Sequence, residues 1–206
     1  RMQSFISAIM TCKRPDDTSY LDGTIASLES AGIAISGICP DGPFPRHIHP
    51  ASKGVLRTGI RLGIVPSFRL VAAQWQAVTR GIGNVHSSPM LAVFQDDVES
   101  PPNLRDIIEN HLPSKRGVFS LYLTEGREAP QGWSTIDKSD TYPLNVGACG
   151  IVMDAETARL FIESPPFPRV DRLGSQLVLW CWERGIPFWQ HSPSLLKHIG
   201  KVSCRQ

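Results

Sequence analysis

Apolar positions along the chain change period several times, and each change marks an element. The run "SFISAIM", Ser4 to Met10, is short and nearly continuous, as a buried strand would be. After the polar loop "TCKRPDD", Leu21, Ile25 and Leu28 share one face of a helix that spans Tyr20 to Ala31 and stops at Gly32. "IAISGIC" follows as a second strand. From Ser67, residues Phe68, Val71, Ala72, Trp75 and Val78 recur at three- and four-residue intervals, a helix, and the turn-rich "GIGNVHSSP" leads into the strand "MLAVF". The same reading predicts a helix over Leu104 to Leu112, strands at "GVFSLYLT" and "GACGIVM", and helices over Ala155 to Ile162 and Leu173 to Arg184.

Strands that alternate with helices predict an α/β, Rossmann-like single domain with a mostly parallel central sheet flanked by helices, and a ligand beyond the carboxyl ends of the strands. A chain of 206 residues that is 41% hydrophobic has enough apolar surface for one substantial core. No internal repeat is visible. The Pro- and Gly-rich connectors at Pro40 to Pro50 and Pro165 to Pro168 read as loops inside one domain, and Glu125 to Pro143, the most irregular stretch, as a substrate-specific loop.

Charge adds little. Lys plus Arg number 21 against 19 Asp plus Glu, so the net charge of +2 supplies no field of the strength that nucleic acid would call for. Cys12, Cys39, Cys149, Cys181 and Cys204 are odd in number and have no C-x-x-C pair, which suits reduced thiols in a cytoplasmic protein. The apolar run Phe5 to Met10 is followed, not preceded, by Lys13 and Arg14, the wrong polarity for a signal peptide, and no stretch approaches the ~20 apolar residues of a transmembrane segment.

The chemistry gathers around "LAVFQDDVES", where a buried strand runs directly into Gln95, Asp96 and Asp97. Adjacent carboxylates at a strand end repel one another unless a cation intervenes, and hard oxygen donors suit Mg²⁺ or Mn²⁺. The plain alternative is a solvated acidic turn. His47 and His49 in "RHIHP" form an H-x-H pair, but in a Pro-rich loop they read as ordinary loop residues.

Several ordered segments bear on that choice: "TCKRPDDTSYLDGTIASLESAGI", "AAQWQAVTRGIG", "LAVFQDDVESPPNL", "NVGACGIVMDAETARLF", "RVDRLGSQLVLWCWERGIPFW" and "HSPSLLKHIGKVS". In this order and at these spacings the chain resembles glycosyltransferases of the GT-A fold, and "PSLLKHIG" is similar to that family's C-terminal ending. The resemblance implies a single GT-A domain over residues 1–206, with about 1–98 as the nucleotide-sugar-binding half and about 99–206 as the acceptor-side half.

Residue by residue, the resemblance makes "QDD" the D-x-D element. Asp97 would bind Mn²⁺ (or Mg²⁺) and Asp96 would face the ribose or the metal's waters. Gln95 stands where many members carry an acid, which weakens the charge of the site. His198 would complete the metal site, and as an imidazole ligand it favours Mn²⁺; by itself it reads as a structural histidine. Thr11, Lys13 and Arg14 would meet the nucleotide base and diphosphate, Asp41 the base or ribose, and Gln74 the nucleotide, with Trp75 packed inward. Asn145, Gly147 and Ala148 would form the floor under the donor sugar, where glycine lets backbone approach a ligand.

Asp171 is the candidate base that would deprotonate the acceptor, with Glu99 and Glu125 as lesser candidates. As the residue before a helix it is equally an N-cap, a role that contributes ~1 kcal/mol and would draw its carboxylate toward the helix amides. Trp133 is a candidate to stack on a sugar or base. The implied activity is metal-dependent, inverting transfer of a sugar from a nucleotide-sugar donor, first of all a UDP-sugar, to a hydroxyl acceptor: a glycan, or in a minority reading a hydroxymethylated DNA base. Two other classes stay open. A nucleotidyltransferase shares the sheet and acidic site but usually opens with a glycine-rich loop unlike "TCKRPDD", and a non-catalytic nucleotide- or sugar-binding relative would fit Gln95.

Overall fold

In the computed structural model the first apolar run is strand β1 (Phe5–Cys12), and the amphipathic segment after it is helix α1 (Leu21–Ser30), which leads to β2 (Ile35–Asp41). The structure describes residues 5–12, 19–41, 68–69, 71–73, 90–138, 146–165 and 172–200, without the side chains of 12, 40 and 41. Residues 68–69 and 71–73 are helical, as their spacing predicts. The run before the acidic pair is β3 (Met90–Gln95), with a two-residue β4 (Val98–Glu99) beyond it. Then come α2 (Leu104–Asn110), β5 (Val118–Ser120), β6 (Gly132–Thr135), β7 (Gly150–Met153), α3 (Ala155–Glu163), α4 (Leu173–Arg184), β8 (Phe188–Ser192) and β9 (Lys197–His198).

Seven strands form one sheet in the order β2-β1-β3-β7-β5-β8-β6, and β4 pairs with β9 in a separate two-stranded ribbon. β1 is parallel to β2 and β3, β7 is antiparallel to β3 and β5, β5 is parallel to β8, and β6 is antiparallel to β8. The strands β1, β2, β3, β5 and β8 therefore share one direction, and the sheet is mostly parallel, with β7 and β6 reversed. Among the described residues no helix is long and apolar enough to cross a membrane.

Both sheet faces are buried, as expected where helices cover a parallel sheet. On one face Phe161 of α3, Leu177 and Trp180 of α4 and Phe68 pack with Ala8, Leu91 and Val93 of the sheet, and the Phe161 and Trp180 rings meet edge-on at 5.3 Å. On the other, Leu28, Leu104 and Ile108 from α1 and α2 cover Ile9, Ala92 and Phe94. Each fully buried large side chain of this kind contributes ~1.5–3 kcal/mol, which is what holds the strand ends in place.

Two expectations need correction. "GVFSLYLT" is a strand only over Val118–Ser120, because its continuation turns away to contact the C-terminal segment: Leu121 O accepts from the Leu195 and Leu196 amides. The segment read as irregular contains β6, whose Trp133 pairs with His191 of β8. All four β6 residues are half-buried, so the strand lacks the in/out alternation that would have announced it. The reading also predicts no strand at β8, β4 or β9; β4 and β9 have two residues each, too few to show a period.

Candidate functional site

The acidic pair lies at the carboxyl end of β3, and it is not a solvated turn: Asp96 is 3% and Asp97 7% exposed. Thr11, at the end of the neighbouring β1, donates its hydroxyl to Asp96 Oδ2 at 2.5 Å. Asp97 points to the opposite partner. Its Oδ2 lies 3.0 Å from Nε2 of His198, and its carbonyl accepts from the Ile199 amide at 2.9 Å. The β4–β9 ribbon sets Val98 opposite His198 and Glu99 opposite Lys197, whose Nζ reaches Glu99 Oε2 at 2.9 Å. Thus the two carboxylates diverge, one toward the sheet and one toward the C-terminal segment.

Gly200 makes room for this arrangement. A Cβ there would stand 2.2 Å from Asp97 Oδ2, closer than real side-chain carbons approach, and 3.1 Å from His198 Nε2, a tight contact.

The start of β7 is brought alongside. The Gln95 amide donates to Cys149 O at 2.9 Å, and the Gly147 amide donates to Thr124 Oγ1 at 2.9 Å. A Cβ on Gly147 would fall 2.6 Å from the Tyr122 ring, so backbone lies directly on that aromatic face. The same ring meets His198 edge-on at 6.2 Å. Burial holds the Tyr122 phenol above its usual pKa, reinforced by Cys149 and by the charges of Glu125 and Asp97, and opposed by a hydrogen bond from the Glu125 backbone. Burial, and then the Asp97 charge, likewise raises the Cys149 thiol. From behind, α4 abuts this floor so closely that a Cβ on Gly174 would be 2.1 Å from Val146 O.

One sheet edge therefore joins Thr11, Gln95, Asp96, Asp97, Gly147 and His198, with Gln95 half-buried at the end of β3. β2 ends beside them, since Asp41 pairs with Cys12, but the Asp41 side chain lies outside the described residues, as do Lys13, Arg14, Gln74, Trp75, Asn145 and Asp171, and likewise His47 and His49. Glu99 is an exposed partner of Lys197, Glu125 lies in an exposed turn, and Trp133 packs on Phe119 and His191 in the far edge strand. Sequence reasoning missed Tyr122 and Thr124, which carry no motif and matter only through what they touch, and gave no role to Gly200, the last residue of "PSLLKHIG".

The pair Asp97 and His198 can be tested against a divalent cation. Adjacent ligands of an octahedral ion at ~2.1 Å stand ~3 Å apart, the separation found between Oδ2 and Nε2. The residues fit such an ion as two of its ligands, leaving the other positions to water and substrate oxygens. No cluster of three or more His, Cys, Asp or Glu that could hold a metal exists among the described residues.

No family model and no curated protein matches the chain. Among solved structures, a protein described as a glucose-1-phosphate thymidylyltransferase from Bacillus anthracis, in complex with sucrose, superposes with a TM-score of 0.57 at 13% identity, covering 95% of this chain and 89% of that one. An inositol-1-phosphate CTP transferase from T. maritima gives 0.47 at 13% identity, over 93% and 91%. A glycosyltransferase involved in the glycosylation of the major capsid of PBCV-1 gives 0.47 at 10% identity, over 96% of each chain. The first of these, with the strand order above, establishes the fold as a Rossmann-like α/β domain.

Proposed function

We propose that the protein is a metal-assisted glycosyltransferase that moves a sugar from a nucleotide-sugar donor to a hydroxyl acceptor. The observation that carries this reading is the convergence of Asp97 and His198 at 3.0 Å on the ligand-binding edge of the sheet. Together they would hold Mn²⁺ or Mg²⁺, which when bound offsets negative charge on the departing diphosphate.

The remaining roles fall to the chain itself. Asp96, oriented by Thr11, accepts hydrogen bonds from the donor ribose, and Lys13 and Arg14 pair with the diphosphate. Asp41, Gln74 and Gln95 contact the nucleoside, a uridine in the first instance. The Gly147 backbone would form the floor beneath the donor sugar, backed by the Tyr122 ring, which lies where a Cβ on Gly147 would fall. Asp171 takes the proton from the acceptor hydroxyl as its oxygen attacks the anomeric carbon and the nucleoside diphosphate leaves, inverting that centre. A glycan is the preferred acceptor, and the hydroxymethylated DNA base is the lesser one.

A second reading, nucleotidyl transfer from a nucleoside triphosphate to a sugar phosphate, draws on the likeness to the thymidylyltransferase fold. Against it stands the first loop, "TCKRPDD", which lacks the glycines that let backbone amides wrap a triphosphate.

One experiment separates the readings. The full chain is incubated with a panel of nucleotide sugars, and in parallel with nucleoside triphosphates plus sugar phosphates, with and without Mn²⁺. Nucleoside diphosphate released from one sugar donor, dependent on metal and absent in Asp97→Ala, is the expected result. Pyrophosphate released in the second arm alone supports nucleotidyl transfer. Turnover in neither arm, with no metal-dependent nucleotide binding by calorimetry, leaves a binding module.

A further inference from the structure

α1 lies against the acidic turn, and the hydroxyl of Thr24 is buried between them, 0% exposed. That oxygen donates to Asp96 O at 2.8 Å, with Val98 O at 3.1 Å as a second acceptor, and accepts from the Val98 amide at 3.1 Å. Asp96 O belongs to the peptide unit before Asp97, and the Val98 amide to the one after it. Peptide units are planar, so the direction of a side chain follows from the two planes that flank its Cα. One hydroxyl grips both planes around Asp97, and the Ile199 amide holds the carbonyl of the second from the other side.

We propose that Thr24 is the positioning residue for Asp97: by pinning both flanking peptide units it fixes the backbone angles of Asp97 and aims its carboxylate at His198. This rests on the reading of Asp97 and His198 as cation ligands. A purely structural role, docking α1 onto the turn, is shared by Ser27 one helical turn on. Ser27 Oγ accepts from the Ser100 amide at 2.9 Å, and Ser100 Oγ donates to Ser27 O at 2.9 Å. That contact joins the same helix to the same segment but lies beyond Asp97, so Ser27 is a matched control.

The test measures Mn²⁺ binding to the full chain, by loss of the free-ion spin-resonance signal, alongside urea unfolding, for wild type, Asp97→Ala, Thr24→Val, Thr24→Ser and Ser27→Ala. Partners that orient a metal ligand typically alter affinity 10–100-fold. We expect a Kd ~10–100-fold weaker in Thr24→Val, a wild-type Kd in Thr24→Ser, which keeps the hydroxyl, and a wild-type Kd in Ser27→Ala despite lowered stability. A wild-type Kd in folded Thr24→Val, or equal weakening in Ser27→Ala, would overturn the proposal. If Thr24→Val does not fold, Thr24→Ser decides, because a tenfold weaker Kd with the hydroxyl retained is incompatible with this role. Should wild type bind no Mn²⁺, or Asp97→Ala bind it equally well, the cation reading itself falls and the positioning role goes with it. Binding in wild type that Asp97→Ala abolishes leaves only the role of Thr24 at stake.

Discussion

The Nε2 of His198 lies 3.0 Å from Oδ2 of Asp97 across 101 residues of chain. Four paired residues of a two-stranded ribbon, the Ile199–Asp97 backbone bond and the Lys197–Glu99 ion pair bring the end of the described chain onto the end of β3. The pair is partly open, with side-chain exposures of 38% for His198 and 10% for Asp97.

That openness separates binding from stability. In His198→Ala the lost contact is expected to contribute about 1 kcal/mol, as a single hydrogen bond does. Mn²⁺ affinity, in contrast, is expected to fall at least ~10-fold, a loss typical even of groups that merely support a ligand. Calorimetric titration beside urea unfolding checks both; equal Mn²⁺ affinity would remove His198 from the site.

Gly200→Ala inserts a methyl group 2.2 Å from Asp97 Oδ2. Crowding of this kind costs ~1–3 kcal/mol, and here it is relieved by rotating the carboxylate away from His198. The expected outcome is weaker Mn²⁺ binding by ~10-fold with little change in unfolding midpoint, read in the same two assays.

Gly174→Ala sets two effects against each other. Alanine gains at most ~1 kcal/mol over glycine in a helix, and less in the first turn, where Gly174 stands. The new Cβ, however, would sit 2.1 Å from Val146 O, a backbone atom that cannot swing aside. The clash should win, with net destabilisation of ~1–3 kcal/mol by urea unfolding. A stabilised variant would show that α4 does not press on the Gly147 floor.

Cys149 and Cys181 are buried, and burial raises both thiols above their ordinary pKa of 9.0. Since the raised values belong to the folded state, the protonated thiols and the stability linked to them persist below pH 9 and are lost only as pH rises beyond it. At pH 8 both should react slowly with a disulfide reagent in the native protein and rapidly in urea, and fast native labelling at either, located by mass spectrometry, would contradict this packing.

How much could be read beforehand varied with the source of each signal. The strand "MLAVF" and the α1 face Leu21, Ile25 and Leu28 follow from spacing, because both are periodic and buried. β6 escaped notice because its residues are uniformly half-buried, and β9 because two residues hold no period at all. Asp96 and Asp97 were legible as a pair, yet nothing local says that one turns to Thr11 and the other to His198.

The order of apolar periods along the chain determined that helices and strands would alternate, and that the acidic pair would end a buried strand, because periodicity and turn chemistry act over a few residues. Tertiary structure alone decided that β7 would run against its neighbours, that Gly200 would clear space for the Asp97 carboxylate, and that a threonine on α1 would grip the turn. Those are contacts between residues 56 to 103 positions apart. They exist only once the core has placed the strand ends, and no local pattern encodes which distant group a carboxylate will meet.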